Sequence, residues 1–220
     1  MEALCAGLEP AWFVGEGEAD AYRAAGAERV TESGGLCVSR NRALDDALAA
    51  GARLHLQLSD DLTRLGWAHG VTRPEVESID VGEACRRMAI ALKSTGAALA
   101  GGSPTDNPYF AKPGIGATNF IVGDMVLVRL DGPRTPRWDV NLSLKEDYDY
   151  TLQHLTAYGK VARCNALLAS FKHRTNVGGA VNYRTADLEQ ANIAYLIGKW
   201  PGSLRLNPKR PNELLLRWRA

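Results

Sequence analysis

Apolar positions along this chain recur with two periods, and the changes between them mark out the elements. "AWFVG" (11–15) is a short apolar run that predicts a first strand, followed by a helix around Asp20 to Ala25. In "SRNRALDDALAAG", Ala43, Leu44, Ala47 and Leu48 fall at helical spacing, with Ser39 as the expected N-cap and Gly51 as the stop. Leu54, Leu56 and Leu58 then alternate as in a strand that runs into Asp60 and Asp61. Asp80 and Glu83 have capping-box spacing ahead of "ACRRMAIALKS", and "GAALAGG" reads as a small-residue strand.

The Gly-, Pro- and Asn-rich stretch from Gly101 to Asn119 is a long loop, of the kind that is more often functional than accidental. "FIVGDMVLVRL" is the clearest strand after it. Ser143 and Glu146 form a second capping-box pair, with a helix marked by Leu144, Tyr148, Leu152 and Leu155 and ended by Gly159. "KVARCNALLASF" predicts one more strand, and the tail predicts a strand, a Pro-bounded turn and a last apolar element. Alternating strands and helices without internal repeats indicate a single α/β domain.

Composition narrows the class. With 220 residues, 45% hydrophobic and 23% charged, the chain is neither disordered nor a small disulfide scaffold. Its four cysteines form no CxxC pair, which suggests free thiols in a reducing, cytoplasmic setting. No apolar run is long enough to span a membrane. The net charge of +1 conceals an asymmetry: residues 1–149 carry 15 basic and 22 acidic side chains, a net of −7, and residues 150–220 carry 11 and 3, a net of +8. Either the two parts interleave and neutralise each other, or one handles a cation while the other faces a polyanion.

Four clusters carry candidate chemistry. Asp60 and Asp61 stand where a buried strand ends, and paired carboxylates there suit Mg²⁺ or Mn²⁺ together with substrate phosphates; a solvated turn is the bland alternative. Arg40, Asn41 and Asp45 share a helix, where an amide and a carboxylate can read a nucleoside and an arginine can meet a base or phosphate. Glu146 and Asp147 open a helix; Glu146 is accounted for by the capping box, which leaves Asp147 as a candidate general base. In "KHRTNVGGAVNYR", His173 is a candidate metal ligand, Asn176 a sugar or phosphate contact, and Gly178 and Gly179 allow a close backbone approach.

Taken in order, "GGLCVSRNRALDDAL", "LHLQLSDDL", "KEDYDYTLQHL", "HRTNVGGAVNYR" and "KWPGSLRLNPKRPNELLLRW" resemble nucleotide-sugar glycosyltransferases of the GT-A fold. More narrowly, they resemble the TET-associated glycosyltransferases, which sugar oxidised 5-methylpyrimidines in DNA. The resemblance spans almost the whole chain and implies a mixed central sheet flanked by helices. It places "SDD" at the metal-binding motif, with Ser59 replacing its first carboxylate and Asp61 as main ligand. It also implies Arg40, Asn41 and Asp45 on the uridine, "KED" as the catalytic helix start with Asp147 as base beside Glu146, His173 as a further ligand, and "NVGG" along the diphosphate.

The activity implied is transfer from a UDP-sugar (UDP-glucose, UDP-galactose or UDP-GlcNAc), with Mn²⁺ or Mg²⁺, to 5-hydroxymethylcytosine in DNA. Lys172, Arg174, Arg184, Lys199, Lys209 and Arg210 are the candidate phosphate contacts, and Trp200 and Trp218 are available for stacking or for the core. Two other readings compete: a transferase acting on protein or small-molecule hydroxyls, and a nucleic-acid-binding module that has lost catalysis.

Overall fold

The computed structural model describes residues 2–172 and 185–218. Its centre is a five-stranded mixed sheet in the order β3 (Leu54–Leu58), β8 (Met125–Arg129), β6 (Leu99–Gly101), β9 (Ala162–Cys164), β7 (Ile115–Gly116). All of its pairings are antiparallel except β6 with β9. The pleat divides β8 between two cores: Val126 and Val128 face one side, Met125 and Leu127 the other. A strand covered on both faces reads as a continuous apolar run, as "MVLV" does.

One side is packed by α3 (Val81–Thr95), through Met88 and Leu92, and by a second sheet. That antiparallel sheet has the order β10 (Leu167–Phe171), β4 (Leu62–His69), β5 (Glu75–Ser78). The other side carries α2 (Leu36–Ala49), α4 (Glu146–Tyr158), α5 (Ala186–Lys199) and the hairpin of β11 (Leu204–Asn207) with β12 (Arg210–Leu216). Trp138, Tyr150, Leu152 and Leu196 are buried there. A small β–α–β unit, β1 (Ala11–Val14), α1 (Ala19–Ala24) and β2 (Arg29–Glu32), forms its own two-stranded parallel sheet. No helix among the described residues is long and apolar enough to cross a membrane.

The mixed α/β class holds, and several local expectations do too. Asp80 caps α3 by accepting from the Glu83 amide at 2.7 Å, and Gly96 and Gly159 end α3 and α4 in left-handed geometry. The four cysteines are free thiols.

Other expectations are corrected. Gly35, not Ser39, caps α2; Ser39 sits in the first turn and donates to the Gly34 carbonyl. The Ser143–Glu146 box does not form. Asn192 of α5 instead accepts the Ser143 and Leu144 amides, at 3.1 and 3.2 Å, and α4 starts after Lys145 in left-handed geometry. "KVARCNALLASF" is two strands of different sheets, β9 and β10, separated by a turn at Asn165 and Ala166. The pattern also missed β4, β5 and α5, the last capped by Thr185 on the Leu188 amide.

Candidate functional site

Arg40 is the hub. It lies on the α2 face that also presents Leu36, Ser39 and Ala43, and these residues line a cavity of about 1030 Å³ between β1 and β3. Its guanidinium donates to the Gly123 carbonyl at 3.0 Å, pairs with Glu146 at 3.3 Å and lies 4.2 Å above the Trp138 ring. Trp138 donates through its indole to Gln57 at 2.9 Å, and Gln57 donates back to the Arg40 carbonyl at 2.8 Å. This closed ring joins α2, β3 and the Trp138 loop, so the arginine head is placed before any ligand arrives.

Below Arg40 stands the start of α4. Lys145 caps it at φ 61°, the left-handed region that non-glycine residues rarely adopt. Lys145 is held by a buried pair with Glu189 at 2.9 Å. Glu146 is buried beside Arg40. Asp147 accepts from the Gly123 amide at 3.2 Å. Burial, then the neighbouring Glu146 and Asp124 carboxylates, push its carboxyl up to about 8, against the opposing pull of the Gly123 amide and Arg40. At neutral pH Asp147 is therefore mainly protonated.

Asp124 is a site residue that the sequence reading missed. It sits at the head of β8, its carbonyl accepts the Ser59 amide at 2.7 Å, and it lines a second cavity of about 330 Å³. That cavity is walled by the loop Gly102 to Asp106, by Val122, Asp124 and Met125, and by the end of β10. The signal was a lone acidic residue opening the strongest apolar run.

The structure separates residues that sequence spacing had grouped. Ser59 and Asp60 line the first cavity and Asp61 does not, because Asp60 and Asp61 form the turn between β3 and β4 and successive side chains diverge there. Asp61, the expected main ligand, is therefore not part of the lining of this cavity, whereas Asp60 is and accepts from the Tyr22 hydroxyl. Asn41 holds the Trp138 backbone through both ends of its amide, at 2.8 and 2.9 Å, and Asp45 pairs with Arg137 at 2.6 Å. Neither faces the cavity, since both lie off the Leu36–Arg40–Ala43 stripe.

Among the basic candidates, Lys199 is neutralised by Asp139 at 2.6 Å and Asp149 at 2.8 Å, and Arg210 by Glu213 at 3.0 Å. Lys172 and Lys209 are exposed. Trp200 donates to Asp149 at 2.7 Å, and it and Trp218 pack against the core rather than stand free for stacking. His173, Arg174, Asn176, Gly178, Gly179 and Arg184 lie outside the described residues.

No family model, curated protein or solved structure matches this chain.

Among the described residues no three acidic, histidine or cysteine side chains converge as a metal cage. Asp60 lines the first cavity and could offer one carboxylate oxygen to a hard divalent ion whose other ligands would come from substrate phosphates. Gly34 and Gly35 open α2 onto the same cavity, and a Cβ on either would meet nothing within 4 Å. The first amides of α2 have no side-chain cap, a setting suited to an anion.

Proposed function

We propose that the protein transfers a sugar from a UDP-sugar to a hydroxyl group, with the hydroxymethyl of 5-hydroxymethylcytosine in DNA as acceptor. The observation that carries the reading is the first cavity, in which Trp12, the open start of α2, Arg40 and Asp60 line one space of nucleotide-sugar size. Trp12 suits a base, the α2 amides and Arg40 suit phosphates, and Asp60 suits the cation beside them. A bound Mg²⁺ or Mn²⁺ would offset the charge of the leaving diphosphate. Glu146 holds Arg40 in place from the other side.

Asp147 is the proton acceptor in this scheme. The acceptor oxygen bonds to the anomeric carbon, the bond from that carbon to the diphosphate oxygen breaks, and the hydroxyl proton passes to Asp147. Only the ionised carboxylate can do this, so transfer should rise as pH climbs through about 8. Asp147→Asn should abolish transfer with UDP-sugar binding nearly intact; loss of both would make Asp147 a binding residue.

The DNA acceptor rests on the sequence resemblance. The pairing of Lys199 and Arg210 with carboxylates favours, as a second reading, a transferase acting on small-molecule or protein hydroxyls. Incubation with Mn²⁺, a panel of UDP-sugars and DNA with or without 5-hydroxymethylcytosine, followed by mass analysis of the nucleosides, separates the two. A hexose-sized gain confined to modified DNA is expected. No gain with any donor would remove the reading, and gain on other hydroxyls alone would favour the second.

A further inference from the structure

The loop that walls the second cavity carries an uncommon feature three residues beyond it. Tyr109 and Phe110, adjacent in a 3-10 turn at Pro108–Phe110, are 74% and 72% exposed. Single exposed apolar residues are ordinary, whereas two neighbouring large rings turned outward are a standing hydrophobic cost that a binding role accounts for.

The loop is not loose. The Asn107 side chain accepts the Tyr109 amide at 3.0 Å, Thr105 accepts the Asn107 amide at 3.2 Å, and the Ser170 hydroxyl donates to Asp106 at 2.7 Å. Ala111, the next residue, is buried against Ala68 and Leu168. The rings are thus presented by an anchored backbone. Cationic side chains border the same region: Lys112 follows the rings and is exposed, Arg64 is 66% exposed beside Asp106, and Lys172 follows Phe171 of the cavity wall.

Resting on the proposed transferase reading, we infer that the second cavity receives a single unstacked pyrimidine of a DNA strand, and that Tyr109 and Phe110 stack the bases flanking it. Base-sized space, exposed aromatic faces and nearby cations are the parts that single-strand binding uses. The wall chemistry also suits a cytosine. Its exocyclic amine is a donor, and Asp106 is a carboxylate with acceptor sites beyond those used by Ser170 and Arg64. A base held here lies beside Asp124, whose charge acts on Asp147. The acceptor thus enters through a cavity whose lining residues are distinct from those of the nucleotide cavity.

The test is fluorescence anisotropy with a labelled single-stranded oligonucleotide carrying one 5-hydroxymethylcytosine, on wild type and on Tyr109→Ala/Phe110→Ala. Both rings are at the surface, so the double variant should keep the wild-type circular dichroism spectrum. Its affinity is expected to fall about tenfold or more. Lys112→Ala should lower the slope of log affinity against log salt by about one. Affinity of the double variant equal to wild type would overturn the inference, as would a wild type that binds no oligonucleotide. UDP-sugar calorimetry on the wild type keeps the outcomes apart: donor binding without DNA binding removes only the acceptor assignment, and absence of donor binding removes the transferase reading itself.

Discussion

The larger cavity lies between β1 and β3, strands of separate sheets, whereas the smaller one is bounded by the ends of the paired strands β6 and β8 and by β10, tied to the loop through the Ser103 amide and the Leu167 carbonyl at 2.8 Å. One wall of the first, the β1–α1–β2 unit, reaches the turn after β3 through the hydrogen bond from Tyr22 to Asp60. A wall held by packing and a side-chain hydrogen bond shifts at low cost, while a ladder of backbone bonds does not. The difference assigns adaptable binding of a large ligand to the first cavity and size selection to the second. Arg40 lines the first cavity, and Asp124, which lines the second, raises the Asp147 carboxyl.

Arg40 is where a single change should have the largest effect. Arg40→Ala leaves Glu146 buried without its cation and removes the ring with Trp138 and Gln57, and should cost about 4 kcal/mol in urea denaturation. A loss below about 1 kcal/mol would show that the Arg40 cluster does not support the wall of the first cavity. His154, buried in α4 with its Nδ1 against the Tyr150 carbonyl, is held down to about 4 by desolvation. A depressed histidine binds more protons when unfolded, so its contribution is intact above the unfolded value near 6.5 and is lost as pH falls through about 4. The loss is about 3 kcal/mol in all. His154→Gln should flatten this acid limb of the stability profile, and an unchanged limb would place the acid sensitivity elsewhere.

Gly102→Val acts on the second cavity alone. Its Cβ would come 3.0 Å from the Leu167 carbonyl, at a cost of about 2 kcal/mol, and should lower transfer with donor affinity unchanged. Equal losses of both would mean that the cavities are not independent. Tyr22→Phe removes the hydrogen bond at the mouth of the first cavity. It should cost about 1 kcal/mol and increase amide exchange in β1 and β2 more than in β6.

What could be read from the chain beforehand was local. The Asp80 cap and the Gly159 stop depend on neighbours within a few residues and appear as expected; a strand forms at Leu54–Leu58, but its expected burial does not hold, since Leu54 is exposed and Gln57 is its buried residue. What failed depended on distant partners. The Ser143–Glu146 spacing was correct for a box, but Asn192 takes the amides the box would have used. Asn41 looked available to a nucleoside until Trp138, far along the chain, claimed both ends of its amide. The +8 of the last 71 residues looked like a DNA face, yet Lys199 is spent on Asp139 and Asp149 from the acidic part. Of the candidate residues, Arg40 and Asp147 were named from spacing, Asp60 only beside Asp61; Asp124 was marked only by its place ahead of the strongest apolar run, and Gln57 carries no pattern that marks it before the fold brings it to Trp138.

The gap between β1 and β3 has a consequence for how a ligand is read. Among the described residues β1 pairs with β2 alone and β3 with β8 alone, so each is an edge strand with a row of main-chain amides and carbonyls outside its ladder. Both strands border the larger cavity along their length. A planar heterocycle with donors and acceptors along its rim can occupy this place as a missing rung, recognised by peptide groups that no side-chain substitution removes. Specificity written in the main chain would be silent in an alanine scan and visible in the exchange of backbone protons.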